Sequence, residues 1–238
     1  MKYTQFLNLD AACEHIANEI LAYSQENRPV HISLSGGSTP KPLFQLLATP
    51  AYAEKICWKH LHFWWGDERC VAPSHRESNY GEVKSLLLDH ISMPVENIHR
   101  IQGERDPQEE VQRLSAEIEQ WVPVDKDNVP AFDWIILGMG DDGHTASLFP
   151  HHTHFQDPGL VLVATHPQSG QLRVSNTAHL LAHAKRITFF VAGSKKAQIL
   201  REIQQQNTAA KAYPAAQIKS LYGQTQWYLD ALAAQQLD

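Results

Sequence analysis

The sequence predicts an α/β fold in which a mostly parallel sheet lies between layers of helices. Short apolar runs, typical of buried strands, alternate along the chain with segments whose apolar residues recur at helical spacing. This alternation favours a parallel sheet with helices on both faces. The 238 residues, 43% of them hydrophobic and 19% charged, contain no internal repeat and no convincing linker. We therefore predict one domain over residues 1–238.

The N-terminal half alternates helix and strand signals. Apolar residues four positions apart predict a first helix, with Asp10 as its N-cap. A continuous apolar run then predicts a buried strand. The next helix is expected to begin at Pro40, with Ser38 or Thr39 as its cap, because proline fits the first helical position. The elements predicted here are helices through 12–20 and 43–47, helices over 80–88 and 107–121, and strands over 30–34 and 61–65.

The C-terminal half continues this pattern after a polar loop at 123–130. Its first strand is the clearest in the chain and leads into a glycine-rich turn, after which a short helix is expected to start near His144. A short helical tail is expected after the last strand. The elements predicted here are strands over 133–138, 160–165, 187–192 and 226–229 and a helix over 195–204.

Charge and composition exclude several classes of protein. The net charge of −6 gives no broad basic surface for nucleic acid or anionic membranes, so an anionic ligand requires a small local basic site. No apolar run is long enough to predict a transmembrane helix or a secretory signal. The cysteines, Cys13, Cys57 and Cys70, are odd in number and lack CxxC spacing, which predicts free thiols. We expect a cytoplasmic protein without nucleic-acid or membrane partners.

Three motifs follow predicted strands, at the strand ends where open α/β sheets bind ligands. In the first, the adjacent Gly36 and Gly37 allow backbone N–H groups to converge on an anion at a helix start. Ser35, Ser38 and Thr39 add hydroxyl donors. The motif predicts a phosphate site, with a plain strand-to-helix turn as the alternative. It is neither a Walker A loop nor GxGxxG, so it does not imply a nucleotide.

The second motif is a charged turn that follows Gly66. Asp67, Glu68 and Arg69 stand directly after an apolar strand, in a place where three charges do not fit a core. A solvated turn with an internal ion pair is the alternative. The position at a strand end favours a functional site.

The third motif is the glycine-rich turn that leads to His144. A histidine with a pKa near neutrality accepts a proton from water, and a carboxylate beside it fixes its tautomer. Asp142 stands two residues before His144, so the motif predicts an acid–base pair. A lone structural histidine is the alternative.

Two further cations follow later strands. Arg173 and Lys195 are each able to neutralise a phosphate, although each alone is typical of a surface charge. The stretch His151, His152 and His154 invites a metal site, but only Asp157 lies nearby as a further ligand. We predict no functional metal site.

Together these residues resemble the 6-phosphogluconolactonases, within the glucosamine-6-phosphate isomerase/6-phosphogluconolactonase superfamily. The segments that carry the resemblance are 34–40, 65–69, 78–81 and 137–150, with Arg173, Gly193, 195–197 and 214–215 later in the chain. The resemblance implies a three-layer αβα sandwich with a Rossmann-like sheet. It also implies hydrolysis of 6-phosphogluconolactone to 6-phosphogluconate in the oxidative pentose phosphate pathway.

The sequence departs from the family pattern in two places. Arg173 follows Gly170, Gln171 and Leu172, where the family usually has Pro-Pro-x before this arginine. Asp141 replaces a usual proline and adds a second carboxylate before the catalytic motif.

For lactone hydrolysis we expect His144 to act as general base and then as general acid, with Asp142 orienting its ring. Arg69 or N–H groups of the turn are expected to stabilise the developing oxyanion. The residues expected to bind the phosphorylated substrate are Ser35, Gly36, Gly37, Ser38, Thr39, Asp67, Arg173 and Lys195. A lactone is already an activated ester, so no metal or organic cofactor is expected.

Two other functions fit parts of the pattern. Related glucosamine-6-phosphate deaminases continue after the histidine with Phe-Asn-Glu-Pro, but Phe149 stands where that glutamate would be. A non-catalytic sugar-phosphate sensor would not need Arg69, Asp142 and His144, and no DNA-binding module is visible. The expected partner is a small sugar-phosphate lactone, bound by a monomer or a small homo-oligomer.

Overall fold

The structure, a computed structural model, describes residues 1–238 and contains ten strands and eight α-helices. The strands are β1 (Tyr3–Phe6), β2 (Val30–Leu34), β3 (Leu61–Trp65), β4 (Asp67–Arg69), β5 (Ile98–His99), β6 (Trp134–Leu137), β7 (Val161–Thr165), β8 (Leu172–Asn176), β9 (Arg186–Val191) and β10 (Gln224–Asp230). The helices are α1 (Leu9–Ser24), α2 (Lys41–Leu47), α3 (Pro50–Ala53), α4 (Asn79–Leu86), α5 (Pro107–Trp121), α6 (Ala178–Ala182), α7 (Ala197–Gln205) and α8 (Pro214–Gln217).

A seven-stranded sheet forms the centre of the molecule, in the order β1-β10-β9-β6-β2-β3-β5. All neighbouring strands in it are parallel. From the adjacent pair β2 and β6, the chain adds β3 and β5 on one side and β9 and β10 on the other. The predicted α/β class, with a mostly parallel sheet flanked by helices, is confirmed. The strand order reverses between β2 and β6, which is where sheets of this kind leave a crevice for ligands.

A second sheet of three antiparallel strands, in the order β4-β8-β7, was not predicted. The sequence indicates a strand at 160–165 but not its partners. Strands β7 and β8 form a hairpin across a short loop, and a short loop joins only antiparallel strands. Strand β4 continues from β3 after Gly66 and pairs with β8, so the second sheet is attached to the end of the first.

The core explains why the central strands were readable in the sequence. Every residue of β2, β3 and β6 is buried, as is usual for parallel strands covered on both faces. Their apolar side chains belong to one cluster of 51 buried hydrophobic residues. The bounds of β2, β3 and α5 agree with the predictions residue for residue.

The predicted caps of the first two helices are wrong. Asn8, not Asp10, caps α1, because Asn8 has extended backbone and its Oδ1 accepts a hydrogen bond from the Ala11 N–H at 2.9 Å. Helix α2 begins at Lys41 after Pro40, and no side chain caps it. Neither Ser38 nor Thr39 therefore satisfies the N–H groups at this helix start.

The helix predicted near His144 is also absent. Residues 138–150 form successive turns, and positive φ angles of 81° at Gly143 and 47° at Ala146 interrupt any helix. The chain after β10 likewise forms turns instead of the predicted helical tail. No helix in the structure is both long and apolar enough to cross a bilayer.

Candidate active site

A cavity of about 610 Å³ lies at the carboxyl ends of β2, β3, β6 and β9. Because these strands are neighbours in the sheet, the three predicted motifs and the loop after β9 meet there. The predicted residues that line it are Ser35, Gly36, Gly37, Ser38, Thr39, Asp67, Arg69, His144, Arg173 and Lys195. Asp142 lies behind His144 and does not line the cavity.

His144 and Asp142 form a hydrogen-bonded pair at the edge of this cavity. Nδ1 of His144 lies 2.6 Å from Oδ1 of Asp142, which also accepts from the His144 backbone N–H at 3.0 Å. Partial burial raises the pKa of Asp142, but the hydrogen bonds from His144 outweigh it and lower the pKa to about 2. The ionised carboxylate can only accept, so Nδ1 carries the proton. Nε2 of a neutral His144 is then the nitrogen available as a base.

Glycine at position 140 makes this arrangement possible. A Cβ atom at Gly140 would lie 2.1 Å from Nδ1 of His144 and 2.8 Å from Oδ1 of Asp142. The Gly140 N–H donates to the His144 carbonyl at 2.9 Å, which closes the turn. The imidazole therefore occupies the space that a side chain at position 140 would need.

Two arginines face each other on the second sheet. Arg69 of β4 and Arg173 of β8 are directly paired residues, and the Nε of each is buried without a hydrogen-bond partner. Burial, together with the positive charge of Arg69, lowers the pKa of Arg173, which Asp67 partly offsets. Two adjacent guanidinium groups with free donors at a cavity form a site for an anion. The antiparallel register thus brings Arg173 into the cavity despite its unusual sequence context.

The first motif forms a second wall of the cavity. Gly37 needs to be glycine for its backbone, which has a φ of 92°, and a Cβ atom there would have open space around it. Gly36 needs to be glycine for packing, because a Cβ atom there would lie 1.9 Å from Oδ1 of Asn79. The Ser35 hydroxyl accepts from the Gly138 N–H at 3.2 Å, which links the first and third motifs across the reversal of strand order. The residues of this loop therefore line the cavity next to the turn that carries His144.

Asp67 and Glu68 have different surroundings. Asp67 accepts from the Ser147 hydroxyl at 2.6 Å and lies 3.9 Å from Nη1 of Arg173. Glu68 is buried, which raises its pKa, and it accepts from the Ser78 hydroxyl and three backbone N–H groups, two of them at the start of α4. Glu68 therefore holds α4 in place and does not face the cavity.

The two lysines after β9 also differ. Lys196 forms an ion pair with Asp141, the residue that replaces the usual proline. Both lysines line the cavity, but Lys195 forms no ion pair. It is therefore the lysine whose charge is available to a bound anion.

The histidine stretch His151, His152 and His154, for which no metal site was predicted, does not line the cavity. Side-chain atoms of the kind that bind metals lie close together at another place, in Asp125, Asp127 and His183. There, Nδ1 of His183 is hydrogen-bonded to Asp125 at 2.6 Å. None of these three residues lines the cavity either.

Comparison with known proteins identifies the family. The family model for glucosamine-6-phosphate isomerases/6-phosphogluconolactonase matches residues 7–227. A 6-phosphogluconolactonase of Haemophilus influenzae is 56% identical over 237 residues, which is 100% of both chains. The chain belongs to this family.

Solved structures agree with this family assignment. The crystal structure of a devB protein has a TM-score of 0.97 and 53% sequence identity, and the match covers 100% of this chain and 99% of the other. A 6-phosphogluconolactonase from Trypanosoma brucei has a TM-score of 0.85 at 24% identity, with 100% and 98% coverage, and so shows the shared fold. The predicted resemblance is confirmed.

Uncharged polar residues around this family's site escaped the sequence analysis. Asn79 donates from Nδ2 to the Asp67 carbonyl at 2.9 Å, and Ser147 donates to the Asp67 carboxylate. Gln171 accepts weakly from Nη2 of Arg173 at 3.4 Å and donates to Glu77 at 2.9 Å. Asn79 and Ser147 lie within the segments that carry the resemblance, which is the one signal that marks them in the sequence.

Proposed function

We propose that this protein hydrolyses 6-phospho-D-glucono-1,5-lactone to 6-phospho-D-gluconate, the second step of the oxidative pentose phosphate pathway. One observation carries the proposal: a single cavity contains an oriented histidine, His144, and two cations, Arg173 and Lys195, that are able to hold an anion at another point. A relative named 6-phosphogluconolactonase, 56% identical over its full length, supports the same activity.

In this proposal the phosphate of the substrate binds where donors and cations converge. The glycine loop offers its backbone N–H groups and the hydroxyls of Ser38 and Thr39. Lys195 and Arg173 supply the positive charge. Asp67 keeps Arg173 in place through its carboxylate.

The chemical step needs one proton acceptor that later becomes a donor. Neutral His144 takes a proton on Nε2 from a water molecule while the water oxygen forms a bond to C1 of the lactone. The tetrahedral intermediate then breaks its bond between C1 and the ring oxygen, and His144 returns the proton to that oxygen. The product is a carboxylic acid with a free hydroxyl, and it ionises in neutral solution.

Asp142 and Arg69 support opposite charges in this step. Asp142 stabilises the imidazolium that forms when His144 accepts the proton, since its carboxylate stays ionised. Arg69 faces the negative charge that develops on the C1 oxygen, and its unpartnered Nε is one available donor. A lactone is an activated ester, so these groups suffice and no metal or organic cofactor is required.

The chain lacks the carboxylate that the sister activity of the family, isomerisation of glucosamine 6-phosphate, would need. Phe149 occupies that position, is buried, and its ring centroid lies 5.1 Å from that of His144. An aromatic side chain transfers no proton, so the geometry favours hydrolysis.

The test is a coupled assay that follows 6-phosphogluconate formation from freshly generated lactone, with the spontaneous rate subtracted. We expect a rate above background that is proportional to enzyme concentration. Glucosamine 6-phosphate serves as the matched substrate for the sister activity. Turnover of glucosamine 6-phosphate without acceleration of lactone hydrolysis would overturn the proposal.

We further propose that residues 1–238 form a single domain, which acts in the cytoplasm as a monomer or a small homo-oligomer without nucleic-acid or membrane partners. The three free cysteines support a reducing compartment. The net charge of −6 argues against a polyanionic partner.

A further inference from the structure

The turn that carries His144 has a contact on its outer side that the proposed chemistry does not use. The ring of Tyr213 lies on the backbone of Gly143, where a Cβ atom would be 2.6 Å from two ring carbons. Next to it, the Ala215 N–H donates to the Gly143 carbonyl at 3.1 Å. Only glycine, with its φ of 81°, accommodates both the turn and the ring.

The other end of Tyr213 is attached to helix α7. Its hydroxyl donates to Oε2 of Glu202 at 2.5 Å, and Oε1 of Glu202 accepts from Gln198 at 3.1 Å. The hydrogen bond to Glu202, with burial, raises the pKa of Tyr213 to about 12, so the phenol remains a donor at neutral pH. The ring is therefore held between the turn and the helix.

Resting on the proposed lactonase function, we propose that Tyr213, held by Glu202, is a positioning residue for His144. The hydrogen bonds that orient the imidazole, from Gly140 to His144 and from His144 to Asp142, lie within the turn itself. They fix the ring relative to the turn but not the turn relative to the cavity. The inner side is joined to the cavity wall through Ser147, whose hydroxyl donates to the carboxylate of Asp67 on β4 at 2.6 Å. Tyr213 fixes the outer side.

The first experiment compares Tyr213→Ala with wild type in the lactone assay. Because a misplacement of about 1 Å costs as much as about 100-fold in rate, we expect kcat to fall roughly 10- to 100-fold while KM changes less than about 2-fold. Tyr213→Phe and Glu202→Ala keep the ring but lose the hydrogen bond, so a smaller fall in kcat is expected. The matched control is Tyr222→Ala, since Tyr222 also donates to a carboxylate, that of Asp127, away from the cavity.

A second readout does not depend on activity. The Nδ1 proton of His144, held by Asp142, should give a downfield resonance that is protected from solvent exchange in wild type and Tyr222→Ala. It should broaden or exchange faster in Tyr213→Ala. An unchanged resonance together with an unchanged kcat would overturn the positioning role. A wild-type protein without lactonase activity would instead overturn the proposed function, and the resonance would still test Tyr213.

A double-mutant cycle covers the case in which Tyr213→Ala does not fold. Gly143→Ala places a methyl group against the Tyr213 ring, so kcat is expected to fall. In the Tyr213→Phe background the ring is free to move, and the same substitution should cost less. The strain at the positive φ of position 143 is the same in both backgrounds, so the difference between the two costs measures the contact with the ring. No difference would count against the contact, as would wild-type kcat in both Tyr213→Phe and Glu202→Ala.

Discussion

At the scale of single residues, the proposed function assigns proton transfer and anion binding to different side chains. The histidine at position 144 has one nitrogen committed to Asp142 and one available, while the cations lie on other strands and loops. Substitutions in the two groups should therefore change different kinetic constants.

His144→Ala should fold normally and lose catalysis. Loss of a general base lowers kcat by roughly 100- to 10,000-fold. Asp142→Asn should be comparable or milder, because Asp142 only orients and stabilises the ring. The measurement is kcat above the spontaneous rate, with His152→Ala, in the exposed stretch outside the cavity, as the control. Wild-type kcat in folded His144→Ala would show that another group acts as the base.

The phosphate of the substrate should dominate affinity. Each charge-assisted contact contributes about 1.5–3 kcal/mol, so gluconolactone without phosphate should have a kcat/KM lower by several powers of ten. Lys195→Ala and Arg173→Ala should raise KM for the phosphorylated lactone and barely affect the other. Lys196→Ala is the matched control and should have a smaller effect, since Asp141 already neutralises Lys196. Comparable turnover of both lactones by wild type would contradict the phosphate site.

Arg69→Ala should differ from Arg173→Ala, although the two residues are paired across the strands. If Arg69 serves the oxyanion, its loss lowers kcat by roughly 100- to 1,000-fold with a small change in KM. Steady-state kinetics of the two variants on the phosphorylated lactone separate these effects. A pure rise in KM for Arg69→Ala would place both guanidinium groups on the phosphate.

At the scale of elements, the catalytic turn should tolerate alanine at one glycine and not at another. Gly140→Ala places Cβ 2.1 Å from Nδ1 of His144, so kcat should fall as far as in His144→Ala, with KM little changed. Gly138→Ala belongs to the same turn, but its Cβ would lie 3.5 Å from the nearest atom, the Ser35 hydroxyl, and should be nearly silent. Circular dichroism checks that both variants fold. Equal activities of the two variants would contradict the packing of the imidazole on Gly140.

The elements that the sequence predicted best are those whose signal is local. Strands β2 and β3 are continuous apolar runs between polar residues, and α5 begins at the aspartate–proline pair Asp106 and Pro107, so their ends are marked in the sequence. Strands β4 and β8 are short and largely polar, and they become strands only through pairing within the second sheet, β4 with β8 and β8 with β7. The helix predicted at His144 failed because local spacing carries no information on the positive φ of Gly143 and Ala146.

The candidate site could be predicted in part for the same reason. Charged residues and glycines at strand ends are visible in the sequence, and ten of the eleven predicted site residues line one cavity. Asn79 and Ser147 were missed because an uncharged polar residue acquires its role from a distant partner, here Asp67. The contact of Tyr213 with Gly143 joins positions seventy residues apart and leaves no local pattern.

At the scale of the whole molecule, buried histidines should make stability depend on pH. Burial, with nearby histidines, lowers the pKa of His31 to about 3 and that of His62 to about 4, from an ordinary value of 6.5. Below pH 6.5 the unfolded chain binds protons at these positions and the folded chain does not. The free energy of unfolding is therefore highest above pH 6.5 and falls as the pH decreases toward 4, by up to about 1.4 kcal/mol per pH unit for each histidine.

Urea unfolding between pH 7 and pH 4 measures this dependence. His31→Asn should flatten the slope, because it removes one of the two titrating groups. Asparagine keeps an acceptor for the Trp64 indole N–H, which donates to Nδ1 of His31 at 3.2 Å in the wild type. His152→Asn, at an exposed position, should leave the slope unchanged. Equal slopes in wild type and His31→Asn would contradict the low pKa of His31.

The whole chain should also unfold as one unit. The cluster of 51 buried hydrophobic residues runs from α1 to the turns after β10 and includes strands from both halves. A single transition, coincident by tryptophan fluorescence and by far-ultraviolet circular dichroism, is therefore expected. Two separate transitions would divide residues 1–238 into more than one domain.

The position of β10 between β1 and β9 has a consequence for synthesis on the ribosome. Strand β1 leaves the ribosome before the other strands, but its only neighbour in the sheet is β10. The pairing of Tyr3 with Trp227 therefore forms only after β10 has been synthesised. Until then the nascent chain carries an unpaired edge, which is the kind of surface that promotes aggregation. The four residues of β1 limit this hazard, since the strand is short and its central Thr4 and Gln5 are polar and exposed. The strand whose pairing is delayed longest thus also has little tendency to pair with other chains.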